Sequence, residues 1–415
     1  MVKSGEAAEA RNAFREALES YRQALALLNL LPGSPERDLR ELEFRRSAAQ
    51  MLYVTRGYAA PETTDAIEQA ASLAEKTGNL TQFVSWAMRR WLAPFNSGDL
   101  LAASALADQS LELALHESSP RNVGMAHAMQ TLTRYHQGDL VRAEQHFAEG
   151  LKFFSDPGFK QVPGAALYTF AQASYNAWIL GRADTARERI TRMKGFVNQN
   201  NPYDLAISKL AVAELGIFLR EYEQAEAVAE QTLELSEKSD FPPEATYSRC
   251  VLGIARAHLG RTTEGIALIR DGIASLRERG LLLTLPFRTA SLAEAQGKDG
   301  RIVEALETVE QALRANADQM ASRPEMLRLR GELRLKQTQG DLAEADFRES
   351  IALAQRMQGK AWELRTTMSL ARLLAKRGRR NDARVMLADI YNWFTEGFDT
   401  ADLKDAKALL DELGN

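Results

Sequence analysis

An all-α solenoid of stacked helical hairpins is the fold class that this 415-residue sequence predicts, and three interlocked registers predict it. The first is a glycine followed by a polar or basic residue, at Gly98-Asp99, Gly138-Asp139, Gly181-Arg182, Gly260-Arg261, Gly300-Arg301, Gly340-Asp341 and Gly378-Arg379. These glycines stand 38 to 43 residues apart, except for one gap of 79 that Arg220-Glu221 fills in register. Glycine accepts the left-handed backbone that ends a helix. The second register is a small residue five positions later, at Ala103, Ala143, Ala186, Ala225, Gly265, Ala305, Ala345 and Ala383. The third is proline, at Pro120, Pro163, Pro202, Pro243, Pro286 and Pro324, where the first turn of the preceding helix belongs.

Each element follows from these marks. After the turn, Ala143, Phe147 and Gly150-Leu151 correspond to Gly265, Ile269 and Gly272-Ile273, and to Ala305, Val309 and Ala312-Leu313. Offsets of four and three put them on one helical stripe that packs on its neighbours. Before the turn, Thr131, Ser174, Ala213, Gly253, Ala293 and Ala371 are small where two helices must cross closely. Ser322 is placed to cap the helix that begins at Arg323-Pro324. A less regular early turn at Gly57-Tyr58 completes the series. The expected organisation is a half-hairpin over 1–35, nine hairpins of about 40 residues over 36–396, and a capping helix over 397–415 with Lys404, Asp405 and Lys407 turned outward.

The first stripe, Ala17, Tyr21, Ala24, Leu25 and Leu28, has the register of a second helix without room upstream for a full partner. A repeat buries its face only against its neighbours. Tyr21, Leu25 and Leu28 are therefore expected to dock a second copy of the chain or a missing upstream segment, unless residues 1–13 cover them.

Composition narrows the function. Hydrophobic residues make up 45% and charged residues 26%, with a formal net charge of -4, so no basic footprint for nucleic acid is visible. The longest apolar run, Leu281 to Phe287, is too short to span a bilayer. The start of the chain lacks the apolar core of a signal peptide, and Cys250 has no partner cysteine. A cytoplasmic setting is expected.

Small-xxx-aliphatic-xx-small spacing after a glycine turn resembles the tetratricopeptide repeat (TPR), with loops lengthened from its 34-residue unit. Armadillo and HEAT repeats share the longer period, but the glycine-turn-alanine signature favours the TPR class. The resemblance implies a right-handed TPR-like superhelical solenoid. Four strings resemble one group more narrowly: Leu31 to Glu43, Thr55 to Glu62, Glu325-Met326-Leu327-Arg328-Leu329-Arg330-Gly331-Glu332-Leu333, and Trp393 to Leu410. They are similar to the C-terminal repeats of bacterial signalling proteins that join an adenylate/guanylate cyclase to an AAA-type ATPase. More loosely, they are similar to the sensor domain of the maltose-regulator ATPases. The resemblance implies a sensing or scaffolding module. Its partner would be a protein, a peptide, or the cyclase/ATPase part of a longer chain, with a small-molecule effector as the alternative.

No catalytic constellation stands beside this. Gly260 to Gly265 has the glycine spacing of a phosphate loop but continues Ile266-Ala267, without the lysine that would reach the phosphates. His116, His127, His136 and His146 fall within 31 residues without metal-ligand spacing. No cofactor is expected, nor any ATP hydrolysis or cyclic-nucleotide synthesis. Binding residues are expected on the first helix of each hairpin. Among Trp86, Trp91, Tyr135, Tyr168, Tyr175, Trp178 and Tyr247, Tyr168 and Tyr175 are taken as groove residues and most of the rest as core. Lys209, Arg249, Arg288, Arg328 and Arg365 recur early in successive first helices. Such a ladder could grip an acidic peptide; a solvated face balanced by nearby carboxylates is the alternative.

Overall fold

A computed structural model describes residues 2–11, 13–57, 60–78, 80–160, 162, 164–315 and 318–414. Among the described residues the chain forms twenty-three α-helices, one short 3-10 turn and no strand. The N-terminal elements are α1 (Val2–Ala10), α2 (Phe14–Leu28), α3 (Pro35–Arg56), α4 (Pro61–Lys76), α5 (Leu80–Arg89), α6 (Leu92–Ser97) and α7 (Leu100–Glu117). Next come α8 (Pro120–His136), α9 (Leu140–Gly150), the single turn α10 (Pro157–Lys160), α11 (Ala165–Ile179), α12 (Ala183–Met193), α13 (Pro202–Leu219) and α14 (Tyr222–Lys238). The rest are α15 (Pro242–His258), α16 (Thr262–Glu278), α17 (Leu285–Lys298), α18 (Ile302–Ala315), α19 (Arg323–Lys336), α20 (Gly340–Met357), α21 (Lys360–Lys376), α22 (Arg380–Tyr391) and α23 (Ala401–Gly414). Consecutive helices pack as antiparallel hairpins. The architecture is a TPR-like helical solenoid.

The turn register is physical. Gly98, Gly138, Gly181, Gly260, Gly300 and Gly378 all have φ between 79° and 89°, and Arg220 takes φ 64° in the glycine's place. The exception is Gly340, which opens α20. The left-handed residue there is Thr338, at φ 60°. Both associated marks shift with it by two residues: Ala343 is fully buried and Ala345 exposed, and Gly331 sits where the helices cross, with Phe347 against it. Prolines open α3, α4, α8, α13, α15, α17 and α19. Pro163 and Tyr58 lie outside the described residues. Ser322 does precede α19, but its side chain makes no capping bond; Ser34 caps α3 by accepting from the Arg37 N–H at 3.1 Å.

Close packing explains the small residues. A Cβ placed on Gly265 would lie 2.5 Å from the Gly253 carbonyl oxygen, and one on Gly253 2.8 Å from that of Gly265. Backbone meets backbone there, so no rotamer change relieves the clash. Gly265→Ala is expected to cost about 1–3 kcal/mol despite alanine's better helix propensity. Urea unfolding monitored by circular dichroism checks this; an unchanged midpoint would contradict the close crossing of α15 and α16.

Both ends differ from expectation. The α2 stripe is covered: α1 lies across it, with Gly5 against the Tyr21 ring. Tyr21 is buried and Leu25 half-buried in a cluster with Ala8, Ala48, Met51 and Leu52, and Leu28 is buried as well. Nine residues suffice as a partner because alanine and glycine permit close approach. Tyr21, Leu25 and Leu28 therefore do not form the open docking stripe expected of them. At the other end Lys404 and Lys407 are exposed, but Asp405 turns inward to Arg220 at 2.7 Å.

That last contact belongs to a larger feature. The solenoid winds tightly enough for its second turn to sit on its first. Backbone N–H groups of Leu282 and Leu283 donate to the Asn96 carbonyl at 2.8 and 3.1 Å, and that of Met320 to His136 at 2.9 Å. Trp362 meets Trp178 edge to face at 4.7 Å. Each of these pairs is 184 to 187 residues apart, between four and five repeats. The seam continues with Thr185 donating twice to Glu396, and with the Arg187–Asp399 pair at 3.0 Å. At the N-terminal side Phe14 packs on Phe241 and Arg15 pairs with Asp240 at 2.8 Å. The interior is thus enclosed by stacked turns. No described helix is long and apolar enough to cross a membrane.

Candidate functional site

The first helices of the hairpins face inward, which makes their inner side chains the wall of an interior cavity of about 250 Å³. It lies between α3, α5, α6, α8, α11, α13 and α15, and the segment before α17 closes it from the next turn. The wall is mostly apolar and aromatic, with Tyr53, Met88, Trp91, Phe95, Met125, Met129, Tyr168, Tyr175, Leu210 and Tyr247. Trp91 is held by its indole N–H donating to Thr133 Oγ1 at 2.9 Å, and it stacks on Phe95 at 4.1 Å. A concave apolar wall with few convergent polar groups is the usual form of a ligand site.

The polar groups are distinctive. Glu244 is 3% exposed, and its Oε1 accepts a hydrogen bond from the Tyr168 hydroxyl at 2.9 Å. Tyr168 in turn shares a hydrogen bond with Tyr203 at 3.2 Å, and Tyr203 is bonded to Tyr53. Burial raises the Glu244 pKa to about 7, partly offset by its own backbone N–H and by the Tyr168 and Tyr203 hydroxyls. Its second oxygen, Oε2, has no hydrogen-bond partner, and Gln50 Nε2, Arg121 Nε and Thr284 Oγ1, on residues of the same wall, have none either. An unpaired buried polar atom costs about 1–3 kcal/mol, and four of them belong to residues of this one wall. Glu214 also lines the cavity, but the guanidinium of Arg288 already pairs with it. His136 is held neutral, its pKa pushed down to about 3 by burial.

The structure puts the aromatic and the basic candidates in different surroundings. Tyr168, Tyr175 and Tyr247 line the cavity, as does Trp91; Trp86 is core and Trp178 belongs to the seam. The basic ladder is not a free surface. Arg288 is 3% exposed and paired with Glu214. Arg328 forms a two-pronged pair with Glu325 at 2.7 and 2.8 Å. Arg365 binds Asp402 at 2.8 Å and the Phe218 carbonyl at 2.7 Å, beneath Trp178. Arg249 pairs with Glu237, and Lys209 donates to Gln231 at 2.7 Å. Each cation has its partner inside the chain, and no shared acid-gripping face remains. Arg328 and Arg365 instead border a second, charged cavity of about 410 Å³ with Arg220, Glu294 and Asp402. There Glu294 lies 3.3 Å from His258, which stacks on Tyr222.

Glu244, Tyr53 and Tyr203 were missed. Glu244 follows Pro242-Pro243 at a helix start, where an acid normally serves the helix dipole in solvent, and nothing local says that another turn of the chain will bury it. His127 and His146, from neighbouring helices, bring their Nδ1 atoms within 3.1 Å. No group of three or more metal-ligating side chains converges among the described residues. Cys250 is sealed against Gly272, and burial raises its thiol pKa to about 11.

Comparison with known proteins follows this geometry. The family model of the MalT-like TPR region matches residues 207–409. No curated protein matches the sequence. Among solved structures, the chain is similar to a Rap protein complexed with Competence and Sporulation Factor, at 12% identity over 90% of this chain and 99% of that one, with a TM-score of 0.62. It is less similar to NprR in complex with its cognate peptide NprX, at 14% identity over 69% of this chain and 81% of that one, TM-score 0.49. A Pyrococcus horikoshii signal-transduction ATPase with a TPR sensor aligns at 15% identity over 90% of this chain and 54% of its own, TM-score 0.45. Residues 207–409 match the MalT-like TPR region, within a chain that folds along its described length as a TPR-like helical solenoid.

Proposed function

We propose that the chain is a non-catalytic sensor module of a signalling system, and that its interior cavity takes a short apolar peptide as effector. The observation that carries this reading is the concave aromatic wall with four buried polar atoms left unpaired. A peptide supplies both amide donors and carbonyl acceptors for such a wall, and Gln50 and Arg121 offer donors to its carbonyls. The Rap relative, alike in fold, is itself a complex with a factor. An occupant that bridges two superhelical turns favours one spacing between them, and so shifts the population of closed and open forms. The response would pass to a protein partner or to another part of a longer chain. An acidic peptide on the basic ladder is the weaker reading, because those cations are already paired.

Phage-displayed heptapeptides selected on the purified chain, and counter-screened on Ala171→Trp, test the proposal. Ala171 is 7% exposed and on the cavity wall, so an indole there fills the site. Selected peptides should bind the wild-type chain and lose at least about tenfold in affinity for the variant, since a filled cavity forfeits most apolar contact. Equal binding to a folded Ala171→Trp chain would place recognition elsewhere.

A further inference from the structure

We propose that Glu244 is the anchor of the cavity for a primary ammonium group, and that the occupant is an apolar ligand carrying one positive charge. The inference rests on the cavity being the binding site and names the chemistry it selects. A carboxyl group that is 3% exposed has left water, and only one of its oxygens is repaid by a hydroxyl donor. Oε2 is buried without a hydrogen-bond partner, on a residue that lines the cavity. A buried carboxylate is stabilised most by an opposite charge that also donates hydrogen bonds.

Two further observations point to a cation rather than a neutral donor. The other carboxylate of the wall, Glu214, is already neutralised by Arg288, so the uncompensated acid is Glu244 alone of these two. Tyr53, Tyr168 and Tyr247 share its wall, and ring faces attract an ammonium group in addition to the carboxylate. The structure also presents Gln50 Nε2 and Arg121 Nε as unpaired donors on the same wall, which suit carbonyl oxygens of the same ligand. A free carboxylate ligand would meet Glu244 with like charge. The pKa of about 7 fits a group waiting for such a partner, because a cation at Oε2 would restore the ionised form.

The source of the ammonium can be a peptide N-terminus, a lysine side chain or a small amine, and the probes separate these. Leu-Leu-Phe amide, its N-acetyl form, and N-acetyl-Lys-Leu-Phe amide are titrated into the full chain at pH 8 by calorimetry. Phenylpropylamine, phenylpropanol and phenylpropionate are compared by ligand-observed NMR. The expected result is that ammonium-bearing probes bind about tenfold or more tightly than their neutral counterparts, as hydrogen bonds to charged groups imply, and that phenylpropionate binds least. In Glu244→Gln, which retains an acceptor for Tyr168, the ammonium preference should fall below about threefold while neutral probes are unaffected. A peptide source shows as preference for the free N-terminus or for lysine over phenylpropylamine.

Equal binding of ammonium and neutral probes, or an ammonium preference that survives Glu244→Gln, overturns the anchor and leaves the cavity reading standing. Absence of binding by every probe, or binding undiminished in folded Ala171→Trp, overturns both.

Discussion

Replacing Arg365 with methionine is expected to open the seam between superhelical turns and to cost about 3–5 kcal/mol, the range for breaking one side of a buried ion pair. The guanidinium is only 13% exposed in its side chain. It donates to Asp402 at 2.8 Å and to the Phe218 carbonyl at 2.7 Å, and it lies 4.7 Å from the Trp178 ring and 5.3 Å from that of Trp362. Methionine fills part of the volume but leaves the Asp402 carboxylate with Arg220 alone, at 3.2 Å, and the Phe218 carbonyl without this donor. In a solenoid each repeat is stabilised chiefly by its sequence neighbours, so the loss should appear as local opening rather than loss of helix. Amide exchange should quicken at 178–187 and 360–402, and small-angle scattering should show a larger radius of gyration with unchanged far-ultraviolet circular dichroism. Adding Asp402→Asn should recover part of the loss, because it removes the stranded charge. Unchanged exchange across those segments would mean that Arg365 does not hold the turns together.

That seam also shows where sequence reading stops. Within a hairpin, the left-handed glycine, the small residue five positions on and the first-turn proline act over one or two turns of helix, and they are legible without the structure. Thr338 escaped because a β-branched residue at positive φ breaks the expectation that glycine marks the turn, and Gly340 stood two residues away as a decoy. The covering of α2 escaped because Val2–Ala10, rich in alanine and glutamate, carries no apolar stripe long enough to read. Contacts between residues about 185 positions apart depend on superhelical pitch, which small angular differences per repeat accumulate over four to five repeats. The same limit applies to the site. Hairpin register led to Tyr168 and Tyr175 being expected in the groove, whereas Tyr247, left among the rings mostly expected to be core, lines the cavity with them. Arg328 met Glu325 on its own helix, but whether Arg288 and Arg365 met solvent or acid was decided by helices of other repeats and of the next turn, and Glu244 became a buried acid for the same reason.

Glu244→Gln is expected to stabilise the folded chain in a pH-dependent way, by about 3 kcal/mol above pH 7 and by little near pH 4.5. The ordinary carboxyl pKa of 4.5 is raised to about 7 here by burial. Each pH unit of separation between folded and unfolded states corresponds to about 1.36 kcal/mol. The sign follows from proton uptake: the folded chain holds this proton more tightly than the unfolded chain. The carboxyl therefore supports folding most below pH 4.5, and that support is lost as pH rises through about 7. Glutamine keeps the acceptor for Tyr168 and never ionises, so the stability difference between variant and wild type should grow across this window and then level off. Subtracting the two curves removes the contribution of titrating groups common to both. Urea unfolding at a series of pH values between 4.5 and 8.5 measures the difference. A flat difference would show that Glu244 titrates as an ordinary surface acid, and a falling one that its ionised form is stabilised by the fold. Addition of an ammonium-bearing ligand should reduce the gap by stabilising wild type alone, because only the wild-type chain has a charge for the ligand to pair.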